Sequence, residues 1–321
     1  MLDFYNYLPH VWNIVILFAD LEKIVMKREV MGLIVKRDDG SEIVNYDDPN
    51  FPSYIYDGWI APKMTWEGVP HFHEDIEIMT IKEGRQMYVV NGKNVLLNKG
   101  DTIVVNSNQI HYNVCVDGET AKYVIAVIHP GILSNSVAVD MQAIRPITDN
   151  HELSYLRFRS INENTEEMRN LVLGLPAVRH DPFAVTMQFY QIWNLIRKQA
   201  ESYGMTEETV SDPGMQSFKS MMHFIANNYQ NQITLSDIAD SGNISKSLCN
   251  SLFHQYVGES PINYLMHLRS RKVAELLRAS KMPMTDIASQ TGFRGVSYMA
   301  ETFRKFFESS PREYRKKWES I

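Results

Sequence analysis

Four residues in the first half of the chain have the types and the spacing to hold a divalent cation. His71 and His73 are two apart, so an extended strand puts them on one face, and Glu77 follows at an even interval. His111 comes later in the same β-rich region. Imidazoles and one carboxylate form a competent donor set for a divalent metal. The same side chains also serve as polar lining of a small-molecule pocket that holds no metal, and both alternatives stand at this point. Just upstream lie Tyr54, Tyr56, Trp59 and Trp66. Their flat faces suit the C–H faces of a sugar, with the histidines and Glu77 fixing hydroxyls; packing two sheets together is the alternative role. No further acid–base constellation accompanies these residues, which favours a sensor over a catalyst.

The elements around them read as strands. Ile76–Ile81, Gln86–Val90, Asn94–Leu97, Thr102–Val105 and Tyr123–Ile128 are β-rich runs separated by Gly84, Asn91-Gly92, Gly100-Asp101 and Asp117-Gly118. An Asn-Gly pair between such runs is a hairpin signal, because both central turn residues tolerate positive φ. Short strands at regular spacing imply an antiparallel barrel or jelly roll. After Pro130-Gly131 the strand signal fades, and Thr165–Leu173 and Phe183–Ser202 read as helices, the second capped by Asp181-Pro182. Its apolar residues are wide enough for burial on two sides, against the barrel and against either a partner subunit or the rest of the monomer.

A second chemistry is written in the charge. The 321 residues are 44% hydrophobic and 22% charged with a net charge of −6, the composition of a folded chain of two or three domains. Residues 215–321 hold fourteen Lys/Arg and nine Asp/Glu, or +5, which leaves −11 for residues 1–214. A cationic segment joined to an acidic one is expected where one domain meets a polyanion and the other does not. Two cysteines, Cys115 and Cys249, exclude a disulfide scaffold or a thiolate zinc site and fit a reducing compartment. The apolar run Val11–Ala19 is too short to span a bilayer and reads as a packed element rather than a signal peptide. Met1, Met26 and Met31 remain alternative starts.

Within the basic segment the punctuation repeats. Thr234-Leu-Ser-Asp237 has the form of a capping box, Gly242-Asn243 turns, and Ser245 caps a helix that stops at Gly258. Asp286-Ile287-Ala288 then repeats Asp237-Ile238-Ala239, and Ser310-Pro311 repeats Ser260-Pro261, at an offset of 49–50 residues. Each copy has the size of a helix-turn-helix. From Pro261 to about Ala279 a single helix joins them, some 28 Å long at 1.5 Å per residue. That approaches the ~34 Å between successive major grooves on one face of duplex DNA.

Two resemblances follow from these residues. HxHxxxExxxxxxG, read as His71, His73, Glu77 and Gly84, resembles the first cupin motif; Gly100-Asp101 followed by His111 and Asn113 resembles the second, with Asn106 and Asn108 in place of its usual proline and glycine. The stretch IASQTGFRGVSYMAETFRKFFESSPREYR resembles the DNA-binding domain of AraC-type transcriptional regulators over roughly Met215–Lys317. The resemblance implies base contacts from Ser247, Asn250 and Ser251 and from Val296, Ala300 and Glu301. It implies phosphate contacts from Lys246, His254, Arg294, Arg304 and Lys305, with Ile238, Ala239, Leu252, Phe253, Ile287, Phe293, Met299 and Phe303 as core. Met299 replaces a usual aromatic, and Glu308 replaces a frequent glycine.

The expected chain is multidomain: an N-terminal antiparallel β jelly-roll or cupin barrel with following helices, then an all-α domain with two helix-turn-helix motifs joined by a long helix. The divisions fall at 1–150 (effector binding by Tyr54, Tyr56, Trp59, Trp66, His71, His73, Glu77 and His111), 151–203 (helical, dimerisation), 204–214 (linker) and 215–321 (DNA binding, motifs near 235–257 and 285–307). The implied function is a cytoplasmic, homodimeric regulator without catalysis. It binds promoter double-stranded DNA in response to a small molecule such as a sugar, meets RNA polymerase and no membrane, and needs no cofactor beyond an optional divalent metal. The alternative is a metal-dependent cupin enzyme with a DNA-binding appendage.

Overall fold

The strands order themselves around one buried centre. A computed structural model describes residues 41–62, 64, 66–150, 152–160, 163–202 and 213–319. The Val11–Ala19 run, the alternative starts and linker residues 204–212 lie outside the described residues. The strands are β1 (Ser53–Ile60), β2 (Ile76–Glu83), β3 (Arg85–Val90), β4 (Lys93–Asn98), β5 (Thr102–Val105), β6 (His111–Cys115), β7 (Ala121–Ile128) and β8 (Tyr155–Phe158). They form a five-stranded sheet, β1-β7-β2-β5-β8, and a three-stranded sheet, β4-β3-β6, and every pairing is antiparallel.

The central strand β2 is buried on both faces. Ile76 and Ile78 look outward into a cluster shared with helices, while Met79 and Ile81 join Tyr88, Val90 and Tyr123 inside the barrel. Glu77 shares the register of Met79 and Ile81 and therefore points inward. Asn91 and Gly92 take φ of 48° and 77°, the doubly left-handed turn that their sequence predicts.

The structure adds three strands to the sequence reading. β1 and β6 run through the aromatic and His111 segments, and β8 extends the sheet beyond Pro130, where no strand was expected. β8 has four residues, too few for a periodic signal, and exists because it pairs with the free edge of β5.

Two helices, α1 (Glu163–Val178) and α2 (Pro182–Ser202), cover the outer face of the larger sheet. Met168, Val172 and Leu175 of α1 and Val185, Phe189, Ile192 and Ile196 of α2 are buried there. Asp181 accepts hydrogen bonds from the Phe183 and Ala184 amides at 3.1 Å and caps α2.

The last third is helical: α3 (Pro213–Asn228), α4 (Leu235–Ser241), α5 (Lys246–Val257), α6 (Pro261–Ala279), α7 (Met284–Gln290), α8 (Val296–Phe307) and α9 (Pro311–Glu319). Pro213 and Gly214, expected in the linker, instead open α3, since proline suits a first helical turn. Thr234 and Asp237 form the full capping box. The long helix α6 supports two separate cores. Phe218, Ile238, Phe253 and Leu265 lie in the first, and Val273, Ile287, Met299 and Phe303 in the second. Phe72 and Ile110 of the barrel complete the first core; a fully buried side chain of this kind contributes about 1.5–3 kcal/mol.

Each recognition-length helix ends on a left-handed residue, Gly258 at φ 75° after α5 and Glu308 at φ 52° after α8. A side chain in that region costs roughly 1–2 kcal/mol, partly offset by the lower entropy of its unfolded chain. Glu308→Gly is expected to stabilise the chain by about 0.5–1 kcal/mol, read as a higher denaturation midpoint at unchanged slope. A lower midpoint contradicts the assignment of strain to this position.

Candidate functional site

Two adjacent backbone segments assemble the histidine cluster. His71 and His111 are antiparallel bridge partners, with His71 N–H donating to the His111 carbonyl at 3.1 Å and His111 N–H to that of His71 at 2.9 Å. Residues directly opposite in such a pair project to the same side, and their rings stand 4.2 Å apart between centroids. His73 lies 5.0 Å from His111 on the same measure, and Glu77 reaches both from β2. One ligand atom from each of His71, His73, Glu77 and His111 lies within 4.8 Å of the others.

The tautomers follow from the partners. Nδ1 of His71, His73 and His111 faces the carbonyls of Val69, Asp75 and Gln109 at 2.9, 3.1 and 2.8 Å. A carbonyl only accepts, so each Nδ1 carries a proton, and in the neutral ring the Nε2 atom is the one left to present a lone pair. Nε2 of His73 and of His111 and Oε1 of Glu77 are buried without a hydrogen-bond partner. Such orphans are costly in a sealed interior, and a bound cation satisfies them together. The residues therefore fit a divalent metal: three nitrogen donors and one carboxylate, oriented from behind by backbone carbonyls.

Electrostatics agree with this geometry. Burial and the adjacent His111 push His71 well below the ordinary imidazole value. Burial works against charge on His73 as well, but the Glu77 carboxylate overcomes it and holds that imidazole above its ordinary value. Burial also opposes ionisation of Glu77, yet His111 and His73 hold it far below the usual carboxylate range. A proton on His73 balances Glu77; a divalent cation does the same with two charges.

The aromatic set divides. Tyr54 and Tyr56 stack at 6.3 Å, Tyr56 meets Tyr123 edge-on at 6.4 Å, and Tyr56 and Trp66 pack against the inner cluster. Trp59 has the opposite parity on β1 and is 48% exposed, so the structure does not bring it to the histidines. Three inward residues escaped sequence reasoning. Tyr123 lies near enough to Glu77 to feel its charge, and burial pushes its phenol up. The Gln86 carboxamide is fully buried with neither polar atom partnered. Glu42 places Oε2 3.5 Å from His71 Nε2. Alternation along Gln86-Met87-Tyr88-Val89-Val90 was the available signal for Gln86; nothing local marks Glu42.

The recognition-length helices offer a second surface. On α5, Lys246, Ser247, Ser251 and His254 are exposed, while Asn250 is half-buried and donates to the Lys246 carbonyl at 2.9 Å. On α8, Glu301, Arg304 and Lys305 are exposed and Ala300 is half-buried. Val296 packs partly buried against the second core, and exposed Ser297 takes the place that Ser247 has in the first copy. Arg294 donates to Gln232 Oε1 at 2.9 Å and Lys305 to Asn263 Oδ1 at 3.1 Å. Leu248 and Tyr298, fifty residues apart at equivalent positions, are large apolar side chains left 45% and 50% exposed. The repeat offset was the signal for that pair. Among the described residues no helix is long and apolar enough to cross a membrane.

Comparisons with known proteins match the same two regions. Residues 60–128 match the cupin domain family and residues 238–317 a helix-turn-helix domain family. The chain is 24% identical over 254 residues to the HTH-type transcriptional regulator YdeC of Bacillus subtilis, covering 77% of this chain and 85% of that protein. It is 23% identical over 262 residues to the melibiose operon regulatory protein of Escherichia coli K12, covering 77% and 83%. A structure of unsaturated-fatty-acid-bound ToxT from Vibrio cholerae aligns with a TM-score of 0.44 and 13% identity, over 87% of this chain and 99% of that one.

The cluster makes a direct prediction. The full chain, purified without a histidine tag, is expected to bind one divalent cation such as Co2+, and Glu77→Gln is expected to weaken that binding by tenfold or more. Affinity should fall as the pH is lowered through the His73 titration, because the proton and the cation compete for Nε2. A Co2+ titration followed by absorbance checks both; equal affinity in the wild type and the variant defeats the ligand assignment.

Proposed function

We infer that this chain, an AraC-type regulator with a cupin domain ahead of its helix-turn-helix pair, binds promoter double-stranded DNA under the control of a small molecule held in the barrel. The observation that carries the DNA reading is the duplication. Two helices of equal length, α5 and α8, present exposed polar and basic faces, and the single helix α6 spaces them. Major-groove edges distinguish all four base pairs, which is what such helices read. Ser247, Asn250 and Ser251 address bases from α5. Ala300, Glu301 and Ser297, the last in preference to Val296, do so from α8. Lys246, His254, Arg294, Arg304 and Lys305 hold the phosphates.

Residues 41–158 form the sensing unit, α1 and α2 its helical flank, and 213–319 the reader. The tetrad, with its orphaned donors, supports a divalent cation there in preference to an empty polar lining. When bound, the cation would supply a Lewis-acidic anchor for a ligand oxygen. Tyr54, Tyr56, Trp66 and Tyr123 supply aromatic faces beside it, a combination suited to a carbohydrate, and the melibiose-operon relative points the same way. Phe183 and Met187, one turn apart on α2 and exposed, support a homodimer through this helix. Sedimentation should show a dimer that Phe183→Glu dissociates; a wild-type monomer at micromolar concentration refutes it. A DNA-reading domain supports a cytoplasmic location, beside promoter DNA and RNA polymerase. The same tetrad carries the second reading, a metal-dependent cupin enzyme; regulator relatives along most of the chain weigh against it, and turnover by the cation-loaded chain would restore it.

DNA binding separates the assigned roles. Asn250→Ala is expected to relax preference at one base pair, a discrimination of about 1–3 kcal/mol. Arg304→Ala should weaken binding to all sequences alike and lower the salt slope by about 1. Competition titrations over a range of salt measure both; no preferred site for the wild-type chain ends the regulator reading.

A further inference from the structure

The segments that carry the imidazoles have a second face. Alternation puts His71 and His73 toward Glu77 and Phe72 away from it, and Ile110 immediately precedes His111. Phe72 and Ile110 do not join the barrel's inner cluster; they are buried with Phe218 and Met222 of α3 and with Leu252 and Phe253 of the first helix-turn-helix. Lys219 on α3 holds its ammonium 4.4 Å from the centre of the Phe72 ring. Arg271 on α6, only 7% exposed, donates to the Gly68 carbonyl at 3.1 Å. At the β3–β4 turn a Cβ on Gly92 would overlap the Gln255 carbonyl near the end of α5, so the barrel rim and that helix are in direct contact.

The two imidazole-bearing segments are also bolted to each other. Asn108 N–H donates to the His73 carbonyl at 2.7 Å, and Ser107 Oγ to that of Glu74 at 2.6 Å. The Asn91 carboxamide accepts from Ile110 N–H at 3.0 Å and donates to Gln109 Oε1 at 2.7 Å, while Glu42 N–H donates to the Phe72 carbonyl at 2.8 Å. A shift of the histidine rings therefore carries Phe72 and Ile110 with it. Because Ser247 and Ser251 stay exposed while the rim touches α5, docking orients the first recognition helix rather than covering it.

We infer that divalent-cation occupancy of the histidine cluster is coupled to docking of the first helix-turn-helix on the barrel through Phe72 and Ile110, and that the cation favours the docked arrangement. This rests on the reading of the tetrad as a metal site. The direction follows from the geometry: the donor atoms already converge within 4.8 Å while the reader is docked. Coupling of this kind is reciprocal, so loosening the dock must weaken the cation.

The test uses the full chain, Co2+ alone as the probe, and variants on the reader side that leave every donor in place. Lys219→Ala, at a half-buried cation–π contact, is the milder change, and Arg271→Gln, at a buried guanidinium, the stronger one. Each is expected to lower Co2+ affinity by threefold or more with an unchanged Co2+ absorption spectrum. In the wild type, Co2+ is expected to slow amide exchange across Phe218–Ile225. Affinity within twofold of wild type, or tighter, in both variants, with no exchange change in α3, overturns the coupling while leaving the metal site intact. A wild-type chain that takes up no Co2+ overturns the coupling and the metal reading together, and leaves DNA recognition standing.

Discussion

The reciprocal pair of backbone hydrogen bonds between His71 and His111 is the constraint on which the rest depends. It lays a short extended segment beside β6 and sets two imidazoles on one side of it. A register shift of one residue would turn His71 outward and Phe72 inward, emptying the cluster and uncapping the first helix-turn-helix core at once. Sensor chemistry and contact with the reader thus share a single register.

That economy explains the burial pattern around the cluster. Glu77 is an anion in an apolar barrel, tolerable because His73 and His111 surround it and because each histidine is steered from behind by a backbone carbonyl. Asp75 adds a further layer, accepting from Tyr46 Oη at 2.8 Å while lying beside His73. The outer face of the same sheet is covered by α1 and α2, so β2 has no solvent face and its alternation is invisible as a polar–apolar pattern. The division of charge, −11 before residue 215 and +5 after it, complements this arrangement. The acidic part of the sequence contains the histidine cluster, and the basic part carries the exposed face suited to phosphates.

Much of the reader was legible because its signals are local. A capping box at Thr234, an N-cap at Ser245 and prolines at helix starts act within a few residues, and a fifty-residue repeat lets one copy check the other. Where the copies diverge, legibility drops. Val296 was expected to face bases, yet it occupies the position of Lys246 and leans on the second core, so Ser297 is the surface residue. In the barrel the four donors were readable from spacing, whereas β8, Glu42, Tyr123 and Gln86 were not. A four-residue strand exists only through its partner, and an inward glutamine is recognised only once the inside is known.

By itself the sequence determined which residues carry chemistry, that the first half forms strands and the last third helices, and that the reader is double. These follow from side-chain type, short-range capping and turn preference, and period, all properties of neighbouring residues. Tertiary structure decided which face of each strand looks inward, separating Trp59 from Tyr54 and Tyr56, and it decided that Phe72 and Ile110 belong to the reader's core. It also left the Nε2 atoms converging on one point. Those outcomes depend on contacts between residues up to about two hundred positions apart, whose geometry is set by closing the barrel and packing it against helices; no local preference encodes them.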